Sequence, residues 1–365
     1  MSDSSAFTGS RILVVGGAGF VGSNLCHMLA AQRPEALFIV DNLLSSHPSN
    51  LPEGPGVHFV LGSIADDRLL ADLPERLDYV FHLACFHGNQ SSIADPIADH
   101  DNNTITTLKL FDRLSRRRDV KRVVYAGAGC AVAKKTFDGA MATPEDAPVS
   151  LSHDSPYSIS KLVGEMYAAY YAGQHGLPVV TARFQNIYGP REILGAGNWR
   201  GTVHSVWRNV IPTFVWKALH GESLPLDNGG IASRDFIFVE DLARGLQACA
   251  LRGAAGEVYN LASGVETTIR TLAETINRLT GNAGGIDLRP PRPWDNSGQR
   301  FGSTEKSRRE LGFAAEVGLE DGLARTIGWT RANQDLIRHC MNHHQWFLDH
   351  PGAGRWPQLS PALSA

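Results

Sequence analysis

The sequence predicts an α/β fold with a doubly wound parallel sheet, because short apolar runs alternate with helical segments along its first half. Parallel strands that are buried on both faces have continuous apolar sequences rather than alternating ones. A glycine-rich turn follows the first run directly, and an aspartate ends the second. A turn and an acid at these positions are typical of a sheet that binds a dinucleotide.

The first predicted unit is a strand followed by a glycine-rich turn and a helix. The run at 11–15 reads Arg-Ile-Leu-Val-Val, and the turn at 16–22 reads Gly-Gly-Ala-Gly-Phe-Val-Gly. Between them, Gly16, Gly19 and Gly22 suit a tight turn, a close approach of pyrophosphate to the backbone, and a helix packed against the strand. The helix would direct its N-terminal N–H groups at that pyrophosphate.

The second predicted strand, at 37–40, ends at Asp41. An acid about twenty residues past the loop, at a strand end, suits the ribose hydroxyls of NAD and repels the additional phosphate of NADP. The alternative is an ordinary turn with a surface aspartate. Strand, loop, helix, strand and acid in this order favour NAD binding.

Three further apolar runs continue the pattern. They predict strands at 57–62, 79–84 and 121–126, with helices between them at 67–73 and 104–116. This is a Rossmann-type arrangement, in which ligands bind at the carboxyl ends of the strands.

The length allows a second domain. We expect an NAD-binding domain from residues 1–185 plus 231–254. We expect a smaller α/β lobe for the substrate from residues 186–230 plus 255–345, and a tail at 346–365. The ligand cleft would lie between the two domains.

Composition excludes several kinds of partner. A net charge of −3 gives no reason to expect nucleic acid or an anionic membrane, and no apolar run approaches a membrane span in length. The fourteen histidines have no metal-ligand spacing, and the polar start is unlike a signal peptide. Five scattered cysteines predict reduced thiols and a cytoplasmic location.

Tyr157 and Lys161 form a Tyr-x-x-x-Lys pair. A spacing of four residues places both on one helix face. A free tyrosine has a pKa of about 10, and a nearby ammonium group is expected to lower it. Such a pair can accept a proton from an alcohol while a nicotinamide accepts the hydride. The spacing alone is common on helices, so this interpretation depends on the other motifs.

These motifs, in this order and together with His82-Leu83-Ala84, resemble the extended short-chain dehydrogenase/reductases. Within that superfamily the chain resembles the nucleotide-sugar epimerases and dehydratases. Residues 183–190, Arg-Phe-Gln-Asn-Ile-Tyr-Gly-Pro, and residues 233–241, Ser-Arg-Asp-Phe-Ile-Phe-Val-Glu-Asp, are similar to two further family segments. The resemblance spans residues 11–330 approximately, and it implies bound NAD and a nucleotide-sugar substrate.

The resemblance also implies roles for residues at matching positions. The expected cofactor contacts are Gly16, Gly19, Phe20, Val21, Gly22, Asp41, Asn42, Ser63, Ile64, Leu83, Ala84, Tyr157 and Lys161. Ser63 stands where the family often has an aspartate near the adenine. Asn186, Arg234 and Arg292 would bind the sugar diphosphate, since a guanidinium suits phosphate; solvated surface charges are the alternative for the two arginines. The family further implies a homodimer.

One catalytic group of the family is missing. A serine or threonine normally follows the strand at 121–126, and its hydroxyl helps to relay the substrate proton. Here the stretch reads Ala126-Gly127-Ala128-Gly129-Cys130, so the missing hydroxyl falls on Ala128 or, with a slip of one residue, on Gly129. A water or a hydroxyl from Ser152 or Ser155 would have to replace it.

Cys130 leaves two interpretations open. In the resembling GDP-mannose 3,5-epimerases, a cysteine two positions after that serine abstracts a proton next to a transient ketone, and a thiolate is a competent base for this step. The alternative is a small buried apolar cysteine. The stretch lacks the acidic residues with which the family's dehydratases and decarboxylases act. A 3,5-epimerase also needs a second acid, for which Arg200 and His204 are the available residues.

Two segments are expected near the sugar. The loop at 191–210 contains three glycines that predict flexibility, and it forms either a lid over the sugar or a variable surface insertion. His87 follows a sheet strand and is a candidate acid or base, or else a hydrogen-bonding or solvated histidine. We list His87, Asn186, Arg200, His204, Arg234 and Arg292 as substrate contacts, and Tyr157, Lys161 and Cys130 as catalytic residues.

The sequence therefore predicts an NAD-dependent nucleotide-sugar epimerase that oxidises the sugar transiently and reduces it again. Epimerisation at C4 is slightly favoured because it asks for the fewest additional groups. The alternatives are a 3,5-type epimerase that uses Cys130, and a sugar dehydratase or decarboxylase. A non-catalytic nucleotide-binding sensor is the alternative from a different class.

Overall fold

The computed structural model describes residues 5–132, 136–292 and 298–350. Within these residues the strands are β1 (Arg11–Val15), β2 (Ala36–Asp41), β3 (Val57–Leu61), β4 (Tyr79–His82), β5 (Arg122–Ala128), β6 (Val179–Phe184), β7 (Asn186–Tyr188), β8 (Leu224–Asp227), β9 (Ser233–Phe238), β10 (Val258–Leu261), β11 (Glu266–Thr268) and β12 (Ile286–Arg289). The helices are α1 (Phe20–Ala31), α2 (Asp67–Ala71), α3 (Asn89–Ala94), α4 (Pro96–Asp99), α5 (Thr106–Ser115), α6 (Pro156–His175), α7 (Val210–Leu219), α8 (Val239–Arg252), α9 (Ile269–Thr280), α10 (Glu305–Leu311), α11 (Leu319–Ala332), α12 (Gln334–Asn342) and α13 (Gln345–Asp349).

A parallel sheet of seven strands forms the larger part of the molecule, in the order β10-β6-β5-β4-β1-β2-β3. Alternate residues of β1 point to opposite faces of this sheet. Ile12 and Val14 are fully buried in a core with α1 and α8, whereas Leu13 is fully buried in a second core with α5 and α6. Helices therefore cover both faces, which confirms the predicted doubly wound fold.

The observed elements differ from the predicted ones at several ends. Strand β4 ends at His82 rather than at residue 84, and β5 continues to Ala128. The helix predicted at 104–116 is a π-helical turn at 100–105 followed by α5.

The boundary of the smaller lobe also changes. The sequence assigned residues 255–345 to it, but β10 pairs with β6 in the large sheet. Elsewhere the proposed division into two domains stays a prediction.

The smaller sheets lie at the carboxyl end of the large one. One has the order β11-β9-β7, and the other pairs β12 with β8. A separate apolar core joins them to α7, α9 and α11. In this way the chain leaves the large sheet at β6 and supplies a second wall for any ligand bound there.

The end of the described chain is helical and packed. Helices α12 and α13 cover the segment at 191–209, with Ile337 and Cys340 buried against Ile193 and Leu194. The predicted tail at 346–365 is wrong at its start, because Phe347 in α13 stacks on Trp199 with ring centroids 4.5 Å apart. Its remainder, from residue 351, lies outside the described residues.

Candidate active site

A cavity of about 770 Å³ extends from the carboxyl ends of the large sheet into the smaller lobe. Every cofactor contact expected from the sequence lines it, as do Cys130, His87, Asn186, His204, Arg234 and Arg292. Arg200 is the exception among the predicted site residues. The cavity thus joins the glycine-rich turn, the Tyr157–Lys161 pair and the arginines of the second half.

The glycine-rich turn can be formed only with glycine at two of its positions. Gly16 has a φ of +86°, and a Cβ there would lie 2.4 Å from the backbone nitrogen of Ala84. A Cβ on Gly22 would lie 2.1 Å from the backbone oxygen of Gly16. Helix α1 begins directly after Gly19 without a side-chain cap, so its first N–H groups face the turn. This geometry fits a pyrophosphate at the helix N-terminus.

Asp41 holds the turn as well as facing the cavity. Its carboxylate accepts hydrogen bonds from the backbone N–H of Ala18 (3.0 Å) and Leu43 (2.8 Å) and from the Ser46 hydroxyl (2.8 Å). A carboxylate has about four acceptor sites, so capacity remains for a ribose hydroxyl. Together with the turn, these residues fit NAD.

Helix α6 places Tyr157 and Lys161 one turn apart. Ser155 caps this helix, accepting a hydrogen bond from the N–H of Ser158, and Pro156 occupies its first turn. Both members of the pair are buried but line the cavity. The Lys161 ammonium lies 4.8 Å from the centre of the Tyr125 ring. A cation–π interaction with that ring therefore stabilises the lysine in this position.

The prediction that Lys161 lowers the pKa of Tyr157 is wrong for the groups that the structure describes. Burial, followed by the charges of Cys85 and Cys130, raises the pKa of Tyr157 well above its ordinary value. Burial acts to lower the pKa of Lys161, but Tyr125 and Cys85 outweigh it, and the net shift is upward. Near neutral pH the side chains around this pair therefore favour a neutral phenol on Tyr157 and a charged ammonium group on Lys161.

No hydroxyl replaces the missing serine from the two positions that the sequence suggested. Ser155 is buried and pairs with Ser158, Ser152 is exposed, and neither lines the cavity. Ala128 ends β5 at the cavity wall. A Cβ on Gly129 would lie 2.3 Å from the Gln185 side-chain nitrogen, so Ala128 is the position at which a hydroxyl would fit.

His87 lies against Tyr157. Its ring centre is 5.5 Å from that of Tyr157, with the planes at 74°. Burial, and then the charges of Arg208, Arg200 and Lys161, lower the pKa of His87 to about 3. The imidazole is therefore neutral near pH 7 and can accept or donate a hydrogen bond.

Arginines surround the part of the cavity formed by the smaller lobe. Arg234 donates from Nη1 to the backbone oxygens of Ser233 (2.6 Å) and Gly298 (2.7 Å), and Arg292 pairs with Asp227 at 2.5 Å. The sequence predicted both, but it missed Arg289 and Arg300, which line the same region. Both arginines lie close in sequence to the Pro-Arg-Pro segment, and this clustering of basic residues could have indicated them.

Arg200 does not contact the cavity, in contrast to the prediction. It is 5% exposed, its Nη1 donates to the backbone oxygen of His87 at 2.7 Å, and its guanidinium lies over the Phe86 ring. It positions the loop that carries His87. Arg208 and Glu192 line the cavity instead, and the sequence analysis missed both.

The segment at 191–210 is packed rather than flexible. A Cβ on Gly195 would lie 2.6 Å from the backbone oxygen of Cys340, and one on Gly197 would lie 2.2 Å from that of Leu44. His344 bonds to the backbone oxygen of Gly195 at 2.8 Å. The glycines allow close backbone packing here, and the segment forms a fixed wall of the cavity.

The chain belongs to the NAD-dependent epimerase/dehydratase family, whose model matches residues 12–262. It is 55% identical to WbmF of Bordetella bronchiseptica, crystallised with NAD⁺ and UDP; the match covers 95% of this chain and 99% of that one, with a TM-score of 0.85. It is 30% identical to UDP-glucose 4-epimerase of Mycolicibacterium smegmatis, covering 88% and 98%. It is 31% identical to dTDP-glucose 4,6-dehydratase of Streptomyces niveus, covering 89% and 94%.

The family and the geometry together establish the cofactor and the coarse activity. The protein is an NAD-dependent enzyme of nucleotide-sugar metabolism. In the residues that the structure describes, no helix is long and apolar enough to cross a membrane. Nor do three or more histidine, cysteine or acidic side chains of those residues come together as metal ligands.

Proposed function

We propose that the protein is an epimerase that acts on a UDP-linked sugar through transient oxidation by bound NAD. The observation that carries this proposal is the position of Tyr157 and Lys161, between the glycine-rich half of the cavity and its arginine-lined half. A sugar whose diphosphate contacts those arginines would present a ring hydroxyl to Tyr157. The likeness to WbmF, crystallised with UDP, supports the choice of nucleotide.

In this proposal Tyr157 accepts the proton of a sugar hydroxyl, and Lys161 compensates the charge of the resulting phenolate. Bound NAD supplies the hydride acceptor and, on return, the hydride donor. C4 epimerisation needs no further acid or base on the protein, because the ketosugar rotates in the site between the two hydride transfers and presents its other face. It is therefore the first candidate.

Epimerisation next to the ketone is the second candidate, because Cys130 and His87 line the same cavity. A Cys130 thiolate would remove a proton from the carbon beside the ketone, and a second group would return one to the other face. A dehydratase is less well supported, since the stretch after β5 carries no carboxyl group.

Heavy water separates these reactions. The purified protein would be incubated with UDP-sugars in deuterium oxide, and its bound NAD measured after denaturation. Epimer formation without deuterium at carbon supports C4 chemistry, whereas label at C3 or C5 that disappears in Cys130→Ala supports the second candidate. Loss of water from the sugar would establish a dehydratase. Nucleotide-sugar binding without any conversion would contradict the enzyme proposal.

We also propose a homodimer. On α6 the exposed apolar side chains Ile159, Met166 and Tyr170 recur at helical spacing, so that they form one stripe. Light scattering of the purified protein measures the mass directly, and a monomer at micromolar concentration would contradict this. The five cysteines are free thiols, as is typical of proteins in a reducing compartment, and we propose that the protein is located in the cytoplasm.

A further inference from the structure

Arg208 lines the cavity without a hydrogen-bond or ion-pair partner among the described residues, although Glu192 and Cys85 lie near enough to act on its charge. It lies just before α7, between Trp207 and Asn209, and all three line the cavity. Its guanidinium forms no hydrogen bond and no ion pair with any described residue. Enclosing an unpaired charge is unfavourable, so such a group is expected to have an anionic partner when the site is filled.

A second guanidinium increases the local positive charge. Nη2 of Arg200 is buried without a hydrogen-bond partner, although Nη1 holds the backbone oxygen of His87. Burial, and then repulsion from Arg208, lower the pKa of Arg200 to about 9. Two like charges in an enclosed region would both be stabilised by an anion placed beside Arg208.

The nearby acid does not neutralise these cations. Glu192 also lines the cavity, but it accepts a hydrogen bond from the Asn209 side chain, and its other oxygen, Oε2, is buried without a partner. Burial raises the pKa of Glu192 to about 7 despite Arg208, so a large share of this carboxyl is protonated at neutral pH. The positive charge of Arg208 remains available to a ligand.

The position of Arg208 indicates which part of the substrate carries this anion. Arg200, in the same segment as Arg208, donates to the backbone oxygen of His87, and the His87 ring contacts Tyr157. Since Arg208, His87 and Tyr157 also line one cavity, we assign Arg208 to the part where the sugar would react. Other cations are available to the diphosphate, because Arg234, Arg289, Arg292 and Arg300 also line the cavity. The additional anion is therefore on the sugar.

We propose that Arg208 determines specificity for a nucleotide-linked uronic acid, by pairing with the carboxylate that such a sugar carries at C6. A planar guanidinium matches a carboxylate through two parallel hydrogen bonds, which a primary alcohol at C6 cannot form. This inference rests on the proposed function, because it assumes a nucleotide sugar in the cavity.

The test compares ligands that differ only at C6. The NAD-loaded full chain would be titrated calorimetrically with UDP-glucose and UDP-glucuronic acid, with UDP-galactose and UDP-galacturonic acid, and with UDP. We expect each uronic acid to bind at least about tenfold more tightly than its neutral counterpart. Arg208→Gln should abolish this preference, and Arg208→Lys should retain part of it. Arg331→Gln, an exposed position outside the cavity, is the matched control and should retain all of it.

Equal or weaker binding of the uronic acids by the unmodified protein would overturn the inference. So would an Arg208→Gln variant that loses affinity equally for uronic acid, neutral sugar and UDP, since Arg208 would then bind the diphosphate. UDP affinity and retained NAD show that each variant is folded. An Arg208-dependent preference without epimer formation would support this inference and contradict the proposed reaction. Failure of the unmodified protein to bind UDP or any UDP-sugar would overturn both.

Discussion

Tyr157 is the side chain on which the proposed chemistry depends. It is buried, it lines the cavity beside His87, and Lys161 lies one turn away. Tyr157→Phe should retain NAD but lower kcat by roughly 10²–10⁴, the range typical of a lost general base or acid. Tyr167→Phe, at a tyrosine of the same helix that does not line the cavity, is the control and should keep its activity. Turnover of Tyr157→Phe within tenfold of the unmodified protein would contradict the assignment.

The end of β5 can be tested by restoring the missing hydroxyl. Ala128 already has a Cβ at the cavity wall, so Ala128→Ser adds an oxygen where the proton relay needs one. We expect a faster reduction of bound NAD by substrate in stopped flow. Gly129→Ser should give no such gain, because its Cβ would first have to displace the Gln185 side-chain amide. If bound NAD is reduced more slowly in Ala128→Ser than in the unmodified protein, the claim that the site lacks a hydroxyl at this position is contradicted.

All the predicted cofactor residues line the cavity, whereas one predicted sugar residue, Arg200, does not. The glycine-rich turn and Asp41 are local features whose roles follow from a strand, a turn and a helix in order. Arg200 and Arg208 have the same charge and lie eight residues apart, but only the packing of the segment around them decides that Arg208 faces the cavity. No local pattern distinguishes the two.

At the scale of elements, the turn between β1 and α1 fixes the nucleotide half of the cavity. Gly22→Ala would place a Cβ 2.1 Å from the backbone oxygen of Gly16, and neither backbone can move without opening the turn. We expect at least about tenfold weaker NAD binding in calorimetry and a loss of roughly 1–3 kcal/mol in unfolding free energy.

The matched control for this substitution is Gly328→Ala. Gly328 is exposed within α11, and no heavy atom lies within 4 Å of its added Cβ. Alanine there should stabilise the helix by up to about 1 kcal/mol and leave NAD binding unchanged. Equal NAD affinity in both variants would contradict the proposed role of the Gly22 contact.

The segment at 191–210 shows why a sequence-based prediction of flexibility failed. Three glycines in a long connection resemble a mobile loop, but here they allow the backbone to approach α12 and the chain after β2. The partners are far away along the chain in either direction, and His344 and Gly195, for example, are 149 residues apart. Such contacts depend on the tertiary fold and have no local signature.

In the molecule as a whole, helices α12 and α13 support the segment at 191–210, which forms a wall of the cavity. Ile337 in α12 is 2% exposed in the core that holds this segment. Ile337→Ala should cost about 2–5 kcal/mol in unfolding free energy and raise KM for the nucleotide sugar while NAD affinity changes little. Ile231→Ala, at an exposed isoleucine, is the control. If Ile337→Ala is destabilised but its KM is unchanged, α12 does not influence the substrate site.

The large sheet and the smaller lobe meet at the Tyr157–Lys161 pair, and the central claim is that a sugar is oxidised and reduced again at that junction. Mixing the NAD-containing protein with its UDP-sugar in stopped flow, with the sugar products identified by NMR, tests this most directly. We predict a transient rise in the absorbance of reduced nicotinamide, a C4 epimer among the products, and bound NAD fully oxidised at the end. A UDP-sugar that binds but yields neither reduced nicotinamide nor an epimer would contradict the account.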